Sequence, residues 1–278
     1  MTARQALRQT QDCLQGAGLT DPRCAWLLLE HVLGCNAAAL LARLEEPLCP
    51  ALLAQLDQLR DRAASGEPLQ YLLGCWDFYG RTFRCDRRAL IPRADTETLV
   101  EAALQAIKAR PSPSILDAGC GTGCVGITLK LERPDAQVTL CDISADALAL
   151  ARENAQALGA DVTLAPADML RALPHGPWDV IVSNPPYINA ADLAALPASV
   201  ARYEPALALY GGPDGLDFVR ALAAHAPAAL AVGGTLCMEI GYDQSPAAQA
   251  ILRAVLGNAH ALQDLHGVER VVCAIRED

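Results

Sequence analysis

Hydrophobic and polar positions divide this chain into regions with different periodicities. Over residues 2–65 the apolar side chains recur every three or four positions, which is the spacing of one buried helix face. Asp21-Pro22 in this region is typical of a helix start, with a capping residue followed by proline at the first helical position. Residues 71–91 hold five aromatic side chains and two glycines, which favours turns and short strands. The pattern predicts a helical module followed by a hairpin.

From Leu90 onward short apolar segments alternate with amphipathic ones, which is the pattern of a mostly parallel sheet covered by helices on both faces. Strands are predicted at 114–118, 137–141, 161–165, 178–183, 233–240 and 268–276. Helices are predicted near 95–109, 124–132, 144–158, 215–230 and 244–257. The expected domains are a helical N-terminal domain over 1–70, a linker hairpin over 71–90 and an α/β domain over 91–278.

Composition narrows the classes of protein that remain. The formal net charge of the 278 residues is −10, and only two of the 22 basic residues are lysines, so broad binding to a nucleic-acid backbone is not expected. The first ten residues are polar, and no run of about 18 apolar residues occurs, so we expect neither a signal peptide nor a membrane span. Eleven cysteines without a CxxC pair indicate a reducing, cytoplasmic location and no metal site.

Five arginines around the predicted hairpin leave two explanations open. They could form a partner-binding patch or the solvated face of a hairpin, and the sequence favours neither. These residues are Arg81, Arg84, Arg87, Arg88 and Arg93.

The most informative motif is Asn184-Pro185-Pro186-Tyr187, which directly follows the predicted strand 178–183. Two consecutive prolines cannot join a sheet ladder or a helix interior, so the chain is forced into a stiff loop. In this loop the Asn184 oxygen and the Pro185 carbonyl can accept the two hydrogens of a planar NH2 group, while the Tyr187 ring covers its face. An ordinary rigid turn is the alternative when the motif is taken alone.

A glycine-rich segment follows the strand predicted at 114–118. Asp117 is followed after one residue by Gly119-Cys120-Gly121-Thr122-Gly123, where the glycines let the backbone approach a ligand and turn into a helix. Asp142 ends the next strand at about the 20-residue spacing that brings an acidic side chain to the ribose of a nucleotide.

The same segment contains Gly121-x-Gly123-x-x-Gly126, which matches the dinucleotide fingerprint and makes a nicotinamide enzyme an alternative. Asp117 argues against it, because a carboxylate beside the glycines would repel a pyrophosphate and suits a cationic ligand.

Together these motifs resemble class I S-adenosylmethionine-dependent methyltransferases acting on a planar nitrogen. The resemblance implies an α/β, Rossmann-like fold with a mostly parallel sheet and an antiparallel last strand, joined here to a small N-terminal helical domain. It implies S-adenosylmethionine as cofactor, with residues 119–123 around its methionyl part. Asp117 would lie near the ammonium, Asp142 at the ribose hydroxyls, Asp168 and Met169 beside the adenine, and Asn184 within the cofactor site as well.

Further motifs carry a narrower resemblance. In chain order they are Gly66-Glu67-Pro68-Leu69-Gln70-Tyr71, Phe78-Tyr79-Gly80, Leu90-Ile91-Pro92-Arg93-Ala94-Asp95-Thr96-Glu97, the glycine-rich loop, Asn184-Pro185-Pro186-Tyr187-Ile188, Tyr203-Glu204-Pro205-Ala206-Leu207 and Gly233-Gly234-x-Leu236-x-x-Glu239. This series is similar to the HemK-type protein-glutamine N5-methyltransferases that modify peptide chain release factors. Two positions depart from the family: Ala94 stands where proline is usual, and Met169 where an aromatic residue is common.

The resemblance implies a specific reaction. Family members transfer a methyl group to the side-chain amide of the glutamine in the Gly-Gly-Gln motif of class 1 release factors, which tunes translation termination. Asn184 and Pro185 would be the catalytic residues, and Asn184, Pro185, Pro186 and Tyr187 would bind the target amide. Arg93 and Glu97 would line the peptide entrance, although a structural salt bridge between them explains this pair equally well.

Two other functions stay open at this point. A nucleic-acid methyltransferase acting on adenine N6 or guanine N2 would use the same clamp, because it also binds an exocyclic NH2 group; the acidic balance argues against it. A binding protein that keeps the fold without turnover is the second, and the intact Asn184 argues against it.

Overall fold

A computed structural model describes residues 1–277 as two compact units. The first consists of Met1–Cys75 together with Pro197–Tyr203, and the second of Trp76–Leu196 together with the chain from Glu204 onward. Residues 76–90 belong to the second unit, and the domain bounds expected from the sequence stay a prediction.

The first unit is helical, as the periodicity predicts. Its helices are α1 (Ala3–Gly16), α2 (Arg23–Leu33), α3 (Ala37–Ala42), α4 (Pro50–Ala64) and α5 (Leu69–Leu73). A capping box starts α1, because the Thr2 hydroxyl accepts from the Gln5 N–H and the Gln5 side chain accepts from the Thr2 N–H. Asp21 accepts from the Arg23 N–H at 2.9 Å, and α2 begins at Arg23, one residue after the predicted first helical position. The apolar faces meet in a core that includes Leu14, Leu28, Leu29, Leu40 and Leu56.

The predicted hairpin is present, and all of its residues except Cys75 belong to the second unit. Its strands are β1 (Cys75–Phe78) and β2 (Arg81–Arg84), joined by a two-residue turn. Tyr79 and Gly80 both have positive φ, 49° and 71°, which is the backbone combination of a tight hairpin turn. Phe78 and Phe83 contact each other edge to face and are part of the core of this unit.

Seven strands form the central sheet of the second unit. They are β3 (Ser114–Ala118), β4 (Gln137–Asp142), β5 (Thr163–Pro166), β6 (Trp178–Ser183), β7 (Leu230–Glu239), β8 (Ala259–Gln263) and β9 (Glu269–Ile275). Their order is β5-β4-β3-β6-β7-β9-β8, with β3 to β7 parallel and β9 antiparallel to both of its neighbours. The six predicted strands and the antiparallel last strand are confirmed. Strand β8 was not predicted, because Ala-His-Ala-Leu-Gln lacks the β-branched residues typical of a strand.

Helices cover both faces of this sheet. Two 3-10 turns (Ala94–Thr96 and Ala206–Ala208) accompany α6 (Glu97–Ala106), α7 (Cys124–Glu132), α8 (Ala145–Leu158), α9 (Ala190–Ala195), α10 (Ala198–Tyr203), α11 (Asp217–Ala229) and α12 (Ser245–Leu256), of which α10 belongs to the first unit. Helices α6, α7 and α8 pack in one apolar core, while α11 and α12 pack in a second one on the opposite face. The five helices predicted in this region are confirmed, and the short α9 and α10 were missed.

The strand order has a consequence for where a ligand can bind. From β3 the chain continues to β4 and β5 on one side, and then returns to β6 and β7 on the other. In open α/β sheets the crevice beyond the carboxyl ends of the strands at such a reversal is the usual binding site. Both motifs singled out in the sequence follow the two strands at this reversal, β3 and β6.

Candidate active site

A cavity opens at the carboxyl edge of the sheet, where four neighbouring parallel strands end. The residues predicted for the site that line this cavity are Arg93, Asp117, Gly119, Cys120, Gly121, Thr122, Asp142, Asp168, Met169, Asn184 and Pro186. The predicted residues that do not line it are Gly123, Pro185, Tyr187 and Glu97. The sheet thus brings together most of the predicted site residues, which are spread over about a third of the chain, because parallel strands end at the same edge.

The glycine-rich loop after β3 is held against the end of β4. The N–H groups of Gly119 and Cys120 both donate to the Cys141 carbonyl, at 2.8 and 2.9 Å. Gly119 has a φ of 75°, and a Cβ atom there would lie 2.6 Å from Cε of Met169. Gly123 directly precedes α7 with a φ of 78°, so it forms the turn into the helix rather than the cavity wall. The loop allows a ligand to approach the backbone closely.

Asp117 is buried beside this loop. Its Oδ2 accepts a hydrogen bond of 2.8 Å from the Gly126 N–H in the first turn of α7. Burial, with a smaller contribution from the charge of Asp142, raises the pKa of Asp117 to about 7, although the Gly126 hydrogen bond opposes this. A cation in the cavity would favour the ionised carboxylate. That Asp117 lies near the cofactor's ammonium group stays a prediction.

Asp142 ends β4 with both carboxylate oxygens oriented by backbone donors. Oδ2 accepts from the Gly121 N–H and Oδ1 from the Ser144 N–H, each at 2.9 Å. Burial raises its pKa, while these hydrogen bonds lower it. Since each carboxylate oxygen can accept more than one hydrogen bond, Asp142 can still bind ligand hydroxyls. Its role at the ribose stays a prediction.

Asp168 and Met169 follow β5 at the rim of the cavity. Asp168 accepts from the Leu170 N–H at 3.0 Å and lies 3.4 Å from Nε of Arg171. The Met169 sulfur lies 3.9 Å from the Ser183 hydroxyl oxygen, so this side chain packs between the end of β6 and the glycine-rich loop. Their position beside the adenine stays a prediction.

Asn184 is fixed at the end of β6. The preceding Ser183 hydroxyl donates to the Ala118 carbonyl at 2.7 Å and so ties the ends of β6 and β3 together. The Asn184 Nδ2 group donates to Oγ1 of Thr96 at 3.0 Å. Within residues 1–277 no hydrogen bond is made to the Asn184 Oδ1 atom. The side chain is therefore held by its donor end, and its acceptor end is available to a ligand.

The loop after Asn184 is held in place by residues that the sequence analysis did not consider. The Tyr187 carbonyl accepts from the Gln244 side chain at 2.9 Å. A Cβ atom on Gly215 would lie 2.3 Å from that same carbonyl, and one on Gly211 would lie 2.7 Å from the Pro186 carbonyl. Only glycine permits these close approaches, so the loop is packed against the segment before α11. Burial raises the pKa of the Tyr187 hydroxyl to about 12.

Glu239 is a buried carboxyl group that the sequence analysis noted only as part of a motif. It ends β7, is 2% exposed, and its Oε2 has no hydrogen-bond partner within residues 1–277. Burial raises its pKa to about 7, while hydrogen bonding from Thr96 and Tyr187 lowers it. The signal that could have found it is a carboxylate at the end of an otherwise apolar strand next to the strand that carries Asn184.

Arg93 and Glu97 do not pair with each other, which corrects one of the two explanations considered for them. The Arg93 guanidinium is paired with Glu204, whose side chain is only 1% exposed and also accepts from the Ile91 N–H. Glu97 instead accepts from the Tyr79 N–H at 2.7 Å and stays outside the cavity lining. Arg93 lines the cavity, and its contact with a substrate stays a prediction.

The arginines around the hairpin are ion-paired, which favours the structural explanation over a partner-binding patch. Arg81 lies 2.6 Å from Glu132, and Arg88 lies 2.8 Å from Asp86 and 2.7 Å from Glu153. Arg84 lies 3.6 Å from Glu153. Arg93 is paired with Glu204.

Residues 1–277 contain no group of three His, Cys, Asp or Glu side chains suited to hold a metal ion. None of the helices in this part of the chain is long and apolar enough to cross a membrane.

Comparison with known proteins defines the class of protein first. Residues 95–200 match the model of the methyltransferase small domain, and residues 5–74 match that of the PrmC N-terminal domain. The fold is similar to that of a methyltransferase from Pyrococcus furiosus, with a TM-score of 0.53 and 14% identity over 81% of this chain and 98% of that one. It is also similar to a 16S rRNA N2 G1207 methyltransferase from T. thermophilus, with a TM-score of 0.51 and 18% identity over 73% and 50% of the chains. This likeness defines a methyltransferase fold.

Curated relatives then define the family. The release factor glutamine methyltransferase of Deinococcus radiodurans is 43% identical over 99% of both chains. That of Bordetella pertussis is 45% identical over 94% of this chain and 97% of its own. That of Moorella thermoacetica is 44% identical over 100% of both. The chain belongs to the release factor glutamine methyltransferase family.

Proposed function

We propose that this chain transfers a methyl group from S-adenosylmethionine to the N5 amide nitrogen of the glutamine in the Gly-Gly-Gln motif of a class 1 peptide chain release factor. Membership of the family supports the proposal, because relatives bearing the name release factor glutamine methyltransferase match nearly the whole chain. The proposal includes the cytoplasm, where translation takes place, as the location.

The residues of the cavity fit S-adenosylmethionine. The lining includes the carboxylates of Asp117, Asp142 and Asp168, while its two basic residues, Arg88 and Arg93, are already paired with carboxylates. An acidic cavity suits a ligand that carries a sulfonium and an ammonium group. The glycine-rich loop would hold the methionyl part, and Asp142 the ribose hydroxyls. When bound, the cofactor supplies an electrophilic methyl group.

The chain's own residues must make an amide nitrogen reactive. This nitrogen is a weak nucleophile because its lone pair is delocalised into the carbonyl group. Acceptors on its two N–H groups shift electron density towards nitrogen and fix the direction of the lone pair. Asn184 Oδ1 and the Pro185 carbonyl would be these acceptors, and the two neighbours of Pro185 in the chain, Asn184 and Pro186, both line the cavity. No lining residue is a histidine, in keeping with a proton that leaves only after transfer has made the nitrogen acidic.

The observation that carries the proposal is the orientation of the Asn184 side chain. Its NH2 group donates to Thr96, and no residue within 1–277 donates to its Oδ1 atom, so an acceptor is left for a ligand. An acceptor at this position selects a substrate that donates N–H. The glycine-rich loop lines the same cavity, so donor and acceptor of the methyl group can meet there.

An exocyclic amine of a nucleic acid would also donate to Asn184. The names of the relatives and the formal net charge of −10 favour a protein substrate without stable nucleic-acid binding. We propose Arg93 as a contact for the release factor, because Glu204 fixes its guanidinium at the cavity.

The test is transfer of labelled methyl from S-adenosylmethionine to a purified release factor, with a version whose Gly-Gly-Gln glutamine is replaced by alanine. Label on the first and not on the second is the expected result. Asn184→Ala should lower kcat by about 10²–10³-fold, as loss of one preorganised hydrogen-bonding group does. The exposed Asn258→Ala is the matched control and should leave the rate unchanged. Label on RNA or DNA, and none on either release factor, would refute the proposal.

A further inference from the structure

The hydrogen bond to Asn184 comes from a residue in an unusual role. Thr96 stands at the N-cap position of α6, where a threonine hydroxyl normally accepts from a helix N–H, yet its side chain makes no capping bond. The residue is 2% exposed, and its Oγ1 accepts from Asn184 Nδ2 instead. The Thr96 hydroxyl group therefore binds Asn184 in the candidate active site and does not cap α6.

The hydroxyl hydrogen of Thr96 also needs an acceptor. A threonine hydroxyl has one hydrogen to donate, and its oxygen is already engaged by the Asn184 NH2 group. Glu239 follows Met238, which pairs with Ser183, so its carboxyl group lies at the end of β7 beside Asn184 at the end of β6. Hydrogen bonding from Thr96 lowers the pKa of this carboxyl group, which burial raises. An ionised carboxylate can only accept hydrogen bonds. With Glu239 ionised, the Thr96 hydroxyl can donate only its own hydrogen towards Glu239, while its oxygen accepts from Asn184.

We propose that Glu239 and Thr96 are positioning residues that fix the Asn184 side chain with its oxygen towards the substrate nitrogen. The two hydrogen bonds have the same direction: the Asn184 NH2 group donates to Thr96, and the Thr96 hydroxyl donates to Glu239. Reversing the Asn184 amide would place its oxygen against the Thr96 oxygen and present an NH2 group to a substrate that itself donates. The inference rests on the proposed function and deepens it, because it explains how the acceptor is held.

Protonation of Glu239 would weaken the hold on the orientation of the Asn184 side chain. A carboxylic acid can donate to Thr96, which frees the Thr96 hydrogen to turn to the Asn184 oxygen. The charged and titratable groups that act on Glu239 are Arg270 on β9, Asp95 before α6 and Tyr187 after β6, and Glu239 in turn raises the pKa of Cys124 on α7. Burial raises the pKa of Glu239 to about 7. The Asn184 side chain is therefore expected to be held less firmly as the pH falls below about 7.

The first test measures kinetics of three variants. Thr96→Val removes the hydroxyl at nearly constant shape and should lower kcat on the order of 10²-fold, with little change in the Kd of S-adenosylmethionine. Thr96→Ser restores the hydroxyl and should recover most of the rate. Glu239→Gln should lower kcat and flatten the fall in kcat that is expected for the parent protein below about pH 7. Thr128→Val is the matched control, since Thr128 is fully buried in the same unit and its hydroxyl has no partner within residues 1–277.

A second measurement does not depend on the identity of the substrate. The chain has five asparagines, so selective ¹⁵N labelling of asparagine gives few side-chain signals, and Asn184→Asp assigns that of Asn184. We expect slow solvent exchange of the Asn184 NH2 hydrogen bound to Thr96, and faster exchange in Thr96→Val. Slow exchange without methylation of a release factor would overturn the proposed function and leave the positioning role standing. Unchanged exchange and an unchanged kcat in Thr96→Val would overturn the positioning role itself.

Discussion

The contact between α7 and the central sheet gives a sharp test of the fold that supports the site. Gly126 lies in the first turn of α7, where its N–H binds Asp117. A Cβ atom at this position would lie 2.2 Å from Cδ2 of Leu140 and 2.9 Å from Oδ2 of Asp117. Leu140 and Asp117 are both buried, so neither can move freely. Gly126→Ala should therefore push the helix away from the sheet.

The magnitude follows from two opposing effects. Overpacking of a buried site costs about 1–3 kcal/mol, and contacts this short on two sides favour the upper part of that range. Replacing glycine by alanine inside a helix contributes about 1 kcal/mol in the opposite direction. The expected net loss is about 1–2 kcal/mol in the free energy of unfolding, or a fall in Tm of about 2–8 °C. The Kd of S-adenosylmethionine should also rise, because the Asp117 carboxylate is displaced.

Urea unfolding followed by circular dichroism measures the first effect, and calorimetric titration of S-adenosylmethionine measures the second. Gly16→Ala in α1 is the control, because a Cβ atom there meets nothing within 4 Å. Gly16→Ala should leave the free energy of unfolding unchanged or raise it by up to about 1 kcal/mol. If Gly126→Ala were as stable as the parent while Gly16→Ala behaved as expected, the close approach of α7 to the sheet would be wrong.

Two further predictions concern buried charges. Burial raises the pKa of Asp117 to about 7 from about 3.9 in an unfolded chain, so the unfolded state binds fewer protons between these values. The contribution of Asp117 to the free energy of unfolding therefore falls by up to about 4 kcal/mol as the pH rises from about 4 to about 7. Above about pH 7 this contribution stays constant. Urea unfolding at several pH values should show a smaller fall in Asp117→Asn, and an identical profile would contradict this. Arg93→Met should cost about 2–4 kcal/mol, because it leaves the Glu204 carboxylate buried without its cation. Adding Glu204→Gln should recover most of this loss in the same assay, and a double variant no more stable than Arg93→Met would argue against the pairing.

The site was predictable as far as it is built from local segments. Asn184 and the glycine-rich loop each follow an apolar strand directly, and the strands β3 and β6 lie at the bounds that the sequence pattern predicted. Proline and glycine act on their own backbone, so their effect is visible in a few consecutive letters. The parallel sheet then brings the two strand ends together by the usual topology of alternating strands and helices.

Other elements gave no such signal. The edge strand β8 carries few residues typical of a strand, and it forms because β9 offers a partner along its free edge. The two short helices α9 and α10 contribute little buried surface of their own, since Tyr203 is their one buried residue. Helices of this length depend on their surroundings more than on their own propensity.

By itself, the sequence determined the class of fold, the glycine-rich loop and the asparagine that faces the cavity, because each depends on residues adjacent in the chain. Only the tertiary structure decided which side chains hold that asparagine and the cavity arginine. Thr96 meets Asn184 across 88 positions, and Arg93 meets Glu204 across 111. Such pairs form where the folded sheet brings distant strand ends and loops within hydrogen-bond distance, and no periodicity along the chain encodes that distance.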